Sequence, residues 1–243
     1  MNYSHSLPNY ICAQVTRRFY DPAGNEEWHL ADIILARLTY FEQKEDYKLI
    51  TVNNNVVTDK AYTSVRGAIS EGEFGSTMRE IFDPKSSTEF SWQRWATLRG
   101  HDMYIFAYRV PLASSQFTIH YQGRVSDKGQ TLLVGYHGSV FIDRRTTAVT
   151  RITLEADDIP AGFPVHRAKE LLDYDFVKIS DQEFLLPLTA EFRSFVDTTA
   201  TKNNVEFRNY RKFSADTSVN FDDPEVQPLL NEDKPKEQAS PKQ

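Results

Sequence analysis

From Phe90 to Phe221 the chain reads as a ladder of strands, in which apolar and polar residues alternate in blocks of about 6 to 12 separated by Gly, Asp, Pro or Ser turns. A side-chain period of two suits a sheet with one dry face and one wetter face, and a helix cannot satisfy it. Strands are predicted at Glu89 to Leu98, Met103 to Val110, Gln116 to Gln122, Thr131 to Tyr136, Gly138 to Asp143 and Ala148 to Ala156. Three more are expected at Leu171 to Ile179, Phe184 to Phe195 and Val205 to Phe221. Within the second and third of these, Tyr104, Phe106, Tyr108, Phe117, Ile119 and Tyr121 point to one face, and Arg109, Thr118, His120 and Gln122 to the other.

The N-terminal third continues the pattern. Tyr10 to Tyr20 is rich in β-branched and aromatic residues and ends at the turn signal Asp21-Pro22-Ala23-Gly24-Asn25. Trp28 to Phe41 and Tyr47 to Val52 follow, and Asn53-Asn54-Asn55 offers a turn that tolerates positive φ. One interruption is helical. Ser70 with Glu73 three residues on matches a capping box, and Phe74, Met78, Ile81 and Phe82 then form one apolar stripe that Asp83-Pro84 terminates. A second, weaker helix is expected over Lys60 to Ile69. The fold class that follows is α+β, mostly antiparallel β: a curved sheet or open half-barrel with an inserted helical segment covering one face. The predicted organisation is an N-terminal remnant at 1–9, one half-barrel domain at 10–221, and a disordered acidic tail at 222–243.

Composition bounds the function. Sixteen Phe, 12 Tyr and 3 Trp supply the large buried areas that a pleated core uses. The net charge is -6, half of it in the last 22 residues, and no basic stripe offers phosphates a binding track, so nucleic acid is not an expected partner. Cys12 is the single cysteine and sits between Ile11 and Ala13, as a buried strand thiol would. The six histidines lack the spacing of a helical metal site. There is no phosphate-binding loop, dinucleotide fingerprint or nucleophile elbow, so neither a cofactor nor an enzymatic reaction is expected. No stretch reaches the roughly 20 apolar residues that span a bilayer, so any membrane contact is expected to be indirect.

Gly138-Ser139-Val140-Phe141-Ile142-Asp143, then Arg144-Arg145-Thr146-Thr147 and Ala148-Val149-Thr150-Arg151-Ile152, resembles the G-x-V-x-I-D-x-x-T-x-x-V-x-R-I hairpin of the lipoprotein-carrier superfamily, which includes the LolA, LolB and RseB-like proteins. Asp143 fits that hairpin because its side chain can close an Asx-type turn. The stretches Phe74 to Phe82, Trp95 to Gly100 and Val205 to Phe213 resemble bacterial envelope proteins of the same architecture. The resemblance implies a half-barrel, a periplasmic or envelope location, and a lipid or lipidated protein as partner. On that reading Phe90, Trp92, Tyr104, Phe106, Tyr108, Phe117, Ile119 and Tyr121 line an apolar concavity, with Phe74, Met78 and Phe82 as its lid. The alternative is an interaction module whose aromatic face is simply a filled core and whose exposed strand edges or acidic tail recruit a protein.

Overall fold

The computed structural model describes residues 9–42, 44–58, 62, 65, 67–69 (backbone only), 75–123, 129–196 and 198–212. Eleven strands form one antiparallel sheet in the order β4-β3-β2-β1-β14-β13-β12-β11-β10-β7-β6. They are β1 (Tyr10–Asp21), β2 (His29–Phe41), β3 (Lys44–Val52), β4 (Asn55–Val56), β6 (Glu89–Leu98), β7 (His101–Val110), β10 (Tyr136–Asp143), β11 (Val149–Ala156), β12 (Val165–Ile179), β13 (Gln182–Val196) and β14 (Thr199–Lys212). The terminal strands β4 and β6 do not pair, so the sheet curves without closing. Bulges interrupt the register of β1 with β2 and β14, of β2 with β3, and of β12 with β13, and each bulge adds local twist and bend.

One face of this sheet is covered. Among the described residues, the cover consists of a short helix, α1 (Ser76–Phe82), and a small sheet of β5 (Gly67–Ile69), β8 (Thr118–Gln122) and β9 (Gln130–Leu133) in the order β5-β8-β9. Met78 and Ile81 of α1 and Ile119 of β8 pack with Tyr10, Tyr108, Tyr136, Val140, Ile152, Leu172 and Phe192 of the large sheet into the main core. Burying a side chain of this size contributes about 1.5 to 3 kcal/mol. A smaller cluster of Ala13, Val15, Ile33 and Leu35 lies on the opposite face of β1 and β2.

Two helical expectations are corrected. Gly67–Ile69, read as the end of a weak helix, is a strand that pairs with β8. The described helix begins at Ser76, with Gly75 as its N-cap, rather than at Ser70. Its first amides are satisfied from a distance: Oε1 of Glu45 on β3 accepts from the backbone N–H of Gly75 and of Ser76, each at 3.1 Å, and from the Ser76 hydroxyl at 2.9 Å. A strand carboxylate thus does the work expected of a local capping box. The Ser70–Glu73 pair, Phe74, the alternating end from Phe213 to Phe221, and the acidic tail lie outside the described residues.

Candidate functional site

The site is built on the hairpin of β6 and β7. Leu98 faces His101, leaving Arg99 (φ 52°) and Gly100 (φ 80°) as a two-residue turn with both central residues at positive φ, which matches the right-handed twist of the strands it joins. Phe90 then faces Tyr108 and Trp92 faces Phe106. The register slips between Trp92 and Arg94, so that Trp95 faces Tyr104. Strict alternation would send Trp95 to the face opposite Trp92. The bulge at Gln93 brings it round to join the other rings.

The resulting aromatic network has two sets of rings, one grouped around Trp92 and one that runs from Phe82 and Phe90 into the core. Trp92 meets Trp95 at 4.9 Å between ring centroids, Phe106 at 5.4 Å and Tyr104 at 6.2 Å, all edge-on, and Trp95 meets Tyr104 at 4.7 Å. Phe82, the last residue of α1, stacks on Phe90 at 5.5 Å. Phe90 lies 6.4 Å from Tyr108, which touches Tyr136 at 6.0 Å, and Tyr136 touches Phe117 at 5.5 Å. Such edge-on and offset pairs are attractive beyond the area they bury. The Arg144 guanidinium sits 4.7 Å above Trp95 and 5.6 Å above Tyr104, a cation–π cap on the network's outer end.

Exposure divides the expected ligand-lining set. Tyr108, Phe117 and Ile119 are buried to 6% exposure or less, and Met78 of the expected lid is buried with them. Tyr121 packs half-buried against the same core, as does Phe106. Tyr104 is also half-buried. Phe90, Trp92 and Phe82 are open to solvent at 45%, 48% and 45%, and Trp95, which strict alternation gives no reason to include, is the most open at 57%. The inner rings are therefore packed beneath α1 and β8, and the outer rings form an uncovered aromatic rim along β6.

Burial shifts the ionisable groups in and beside the core toward their neutral forms. The Tyr108 hydroxyl donates to the Thr153 carbonyl at 2.9 Å, crossing Gly138, its registered partner on β10. Burial pushes the Tyr108 and Tyr136 phenols well above their ordinary range, with Tyr136 or Glu80 nearby reinforcing the shift. Burial likewise raises the Glu80 carboxyl, against the opposing hydrogen bond that it accepts from the Gln116 N–H at 2.6 Å. Cys12 is buried, and that burial holds it as a neutral thiol.

The other face of the same strands carries an open depression of about 850 Å³, whose lining includes Arg109, His137, Ser139, Thr153, Glu155 and Lys169. His137 Nδ1 lies 2.6 Å from Asp157, which Arg109 also reaches at 3.0 Å. The Ser139 hydroxyl donates to Gln93 at 3.1 Å. Among the described residues no group of three or more His, Cys, Asp or Glu is placed to hold a metal ion.

Fold and rim together define a class: an antiparallel half-barrel, covered on one face and open along a terminal strand that exposes aromatic rings. No family model and no curated protein matches the chain. Among solved structures, the chain is similar to a candidate outer membrane lipoprotein-sorting protein domain from Vibrio parahaemolyticus, at 12% identity and a TM-score of 0.40 over 90% of this chain and 91% of that one. It is also similar to a LolA superfamily protein from Nitrosomonas europaea, at 8% identity and a TM-score of 0.35 over 88% and 91% of the two chains.

Proposed function

We propose that the protein binds an apolar ligand (a lipid, a lipidated protein or a hydrophobic segment) without catalysing a reaction, and that it does so at the aromatic rim of β6 in the bacterial cell envelope. The observation that carries this reading is the uncovered set Phe82, Phe90, Trp92 and Trp95, four large rings on the core side of the sheet that remain 45% to 57% exposed. Contiguous exposed apolar surface rimmed by polar groups marks a contact site far more often than idle surface. Half-buried Tyr104 and Phe106 back the rim and fix its shape. The envelope location rests on the hairpin resemblance.

The test uses the rim's own fluorophores. A brominated fatty acid quenches tryptophan on contact, so it should quench Trp92 and Trp95 in the intact protein with saturation. The change Phe106→Asp places an uncompensated carboxylate behind the rim, and it should abolish that quenching while the circular dichroism stays native. Unaltered quenching in folded Phe106→Asp protein would refute the site. The complete burial of Tyr108, Phe117 and Ile119 favours a second reading, in which the aromatic face is a filled core and the protein acts as an interaction module. Absence of quenching in the unmodified protein would select it.

A further inference from the structure

The apolar rim follows a strand whose outer edge is unpaired. β6 ends the large sheet, no described strand lies beyond it, and Glu89 through Trp95 are all exposed. Along such an edge alternate backbone N–H and C=O groups point outward with no strand partner. An acyl chain lying on the rings would shield those groups from water without hydrogen-bonding them, which costs free energy for each group shielded. A polypeptide strand covers the rings and satisfies the edge together.

The two faces of β6 add a chemical specification. Phe90, Trp92 and Trp95 lie on the core side, whereas Arg94 pairs with Ile105 and therefore points to the opposite side, near Ser91 and Gln93. Arg94 is exposed and takes part in none of the ion pairs among the described residues. We propose that the ligand of the rim is an extended segment of another polypeptide, added to β6 as a further strand, with apolar side chains toward Trp92 and Trp95 and an acidic side chain toward Arg94. This deepens the reading proposed above and rests on it. Successive same-face side chains of the added strand stand roughly 7 Å apart, so two of them match Trp92 and Trp95 and a third reaches Phe90.

The test measures the anisotropy of a fluorescein-labelled decapeptide in which Val and Leu alternate with Ser and Glu. Its counterpart carries N-methyl groups on alternate backbone nitrogens, in both possible phases, which keeps every side chain and removes the donors on one edge. The expected result is saturable binding of the parent peptide and a loss of about tenfold or more in one N-methylated phase. The double change Trp92→Ser with Trp95→Ser should abolish binding, and Arg94→Glu should weaken it until Lys replaces Glu in the peptide. Equal binding of both N-methylated peptides, or no binding of the parent, overturns the strand-addition proposal. If the brominated fatty acid still quenches while the peptide fails, only the polypeptide assignment falls; if neither binds, the apolar-ligand reading falls with it. A concentration-dependent dimer lost in the Trp92→Ser, Trp95→Ser protein would give the edge to a second copy of the chain and overturn the proposal. So would sedimentation with anionic vesicles that the same substitutions remove and the peptide does not compete.

Discussion

Asp143 shows how one carboxylate can organise a hairpin. Its Oδ1 accepts from the backbone N–H of Arg145 at 2.8 Å and of Thr146 at 2.7 Å, and from the Thr146 hydroxyl at 3.1 Å; its Oδ2 faces His101 Nδ1 at 3.1 Å. These are the local bonds of an Asx-type turn, and the sequence made them readable because every partner but His101 lies within three residues. Asp143→Ala should cost about 1 to 3 kcal/mol in denaturant titration, because a nearly buried acceptor of several bonds is lost. Asp143→Asn keeps Oδ1 as an acceptor and should cost less. The hydrogen bond from Thr146 leads the interactions that hold the Asp143 carboxyl below its ordinary range, against the opposing effect of burial. A carboxyl with a folded value below its unfolded one adds stability that is fully present above the unfolded value, about 3.9, and is lost as pH falls through the folded one. The gap in unfolding midpoint between wild type and Asp143→Ala should therefore narrow as pH falls from about 5 toward 3; an unchanged gap would show that the carboxylate's charge adds nothing.

At the scale of elements, local sequence located strands and failed wherever a distant residue decided the outcome. β6 has the bounds read from its alternation, and β10 with β11 brackets the Asp143 turn as expected. The start of α1 was not readable, because its cap is Glu45, thirty residues away on β3. Glu45→Ala should therefore lower stability by about 0.5 to 2 kcal/mol, with Glu45→Gln milder, which thermal unfolding can measure. If Glu45→Ala unfolds at the wild-type temperature, Glu45 does not stabilise the cap. Gly138 marks a second non-local constraint. A Cβ there would stand 1.8 Å from the Thr153 carbonyl oxygen, the atom that accepts the Tyr108 hydroxyl. Gly138→Ala must push β10 away from β11 and break that bond, so a loss of about 3 kcal/mol or more is expected, at the upper end of overpacking costs. A variant of wild-type stability would mean that the two strands part freely at this point. Trp95 was missed for a related reason: a bulge adds one residue to one strand, and a period-two reading has no means of seeing it.

At the scale of the whole molecule, the decisive property is that the cover formed by the described residues is shorter than the face it covers. α1 spans seven residues and the small sheet three short strands, set against eleven strands beneath them. The main core extends across the large sheet as far as Tyr108 and Phe106 of β7, and the rings of β6 are left outside it. Stability and ligand contact should consequently separate. Phe117→Ala removes a ring only 6% exposed and should destabilise by about 3 to 5 kcal/mol with quenching by the brominated fatty acid retained at temperatures where the protein stays folded. Trp92→Ala truncates a ring that is 48% exposed, so its cost should fall well below that of a buried ring. Its remaining rim fluorophore, Trp95, should nevertheless report weakened binding of the same acyl probe, because the edge-on contact at 4.9 Å that orients Trp95 is gone. A single site serving both purposes would make the two measurements fall together in each variant. Opposite orders of effect on stability and on quenching would instead place the ligand on the rim and the fold's support beneath the cover.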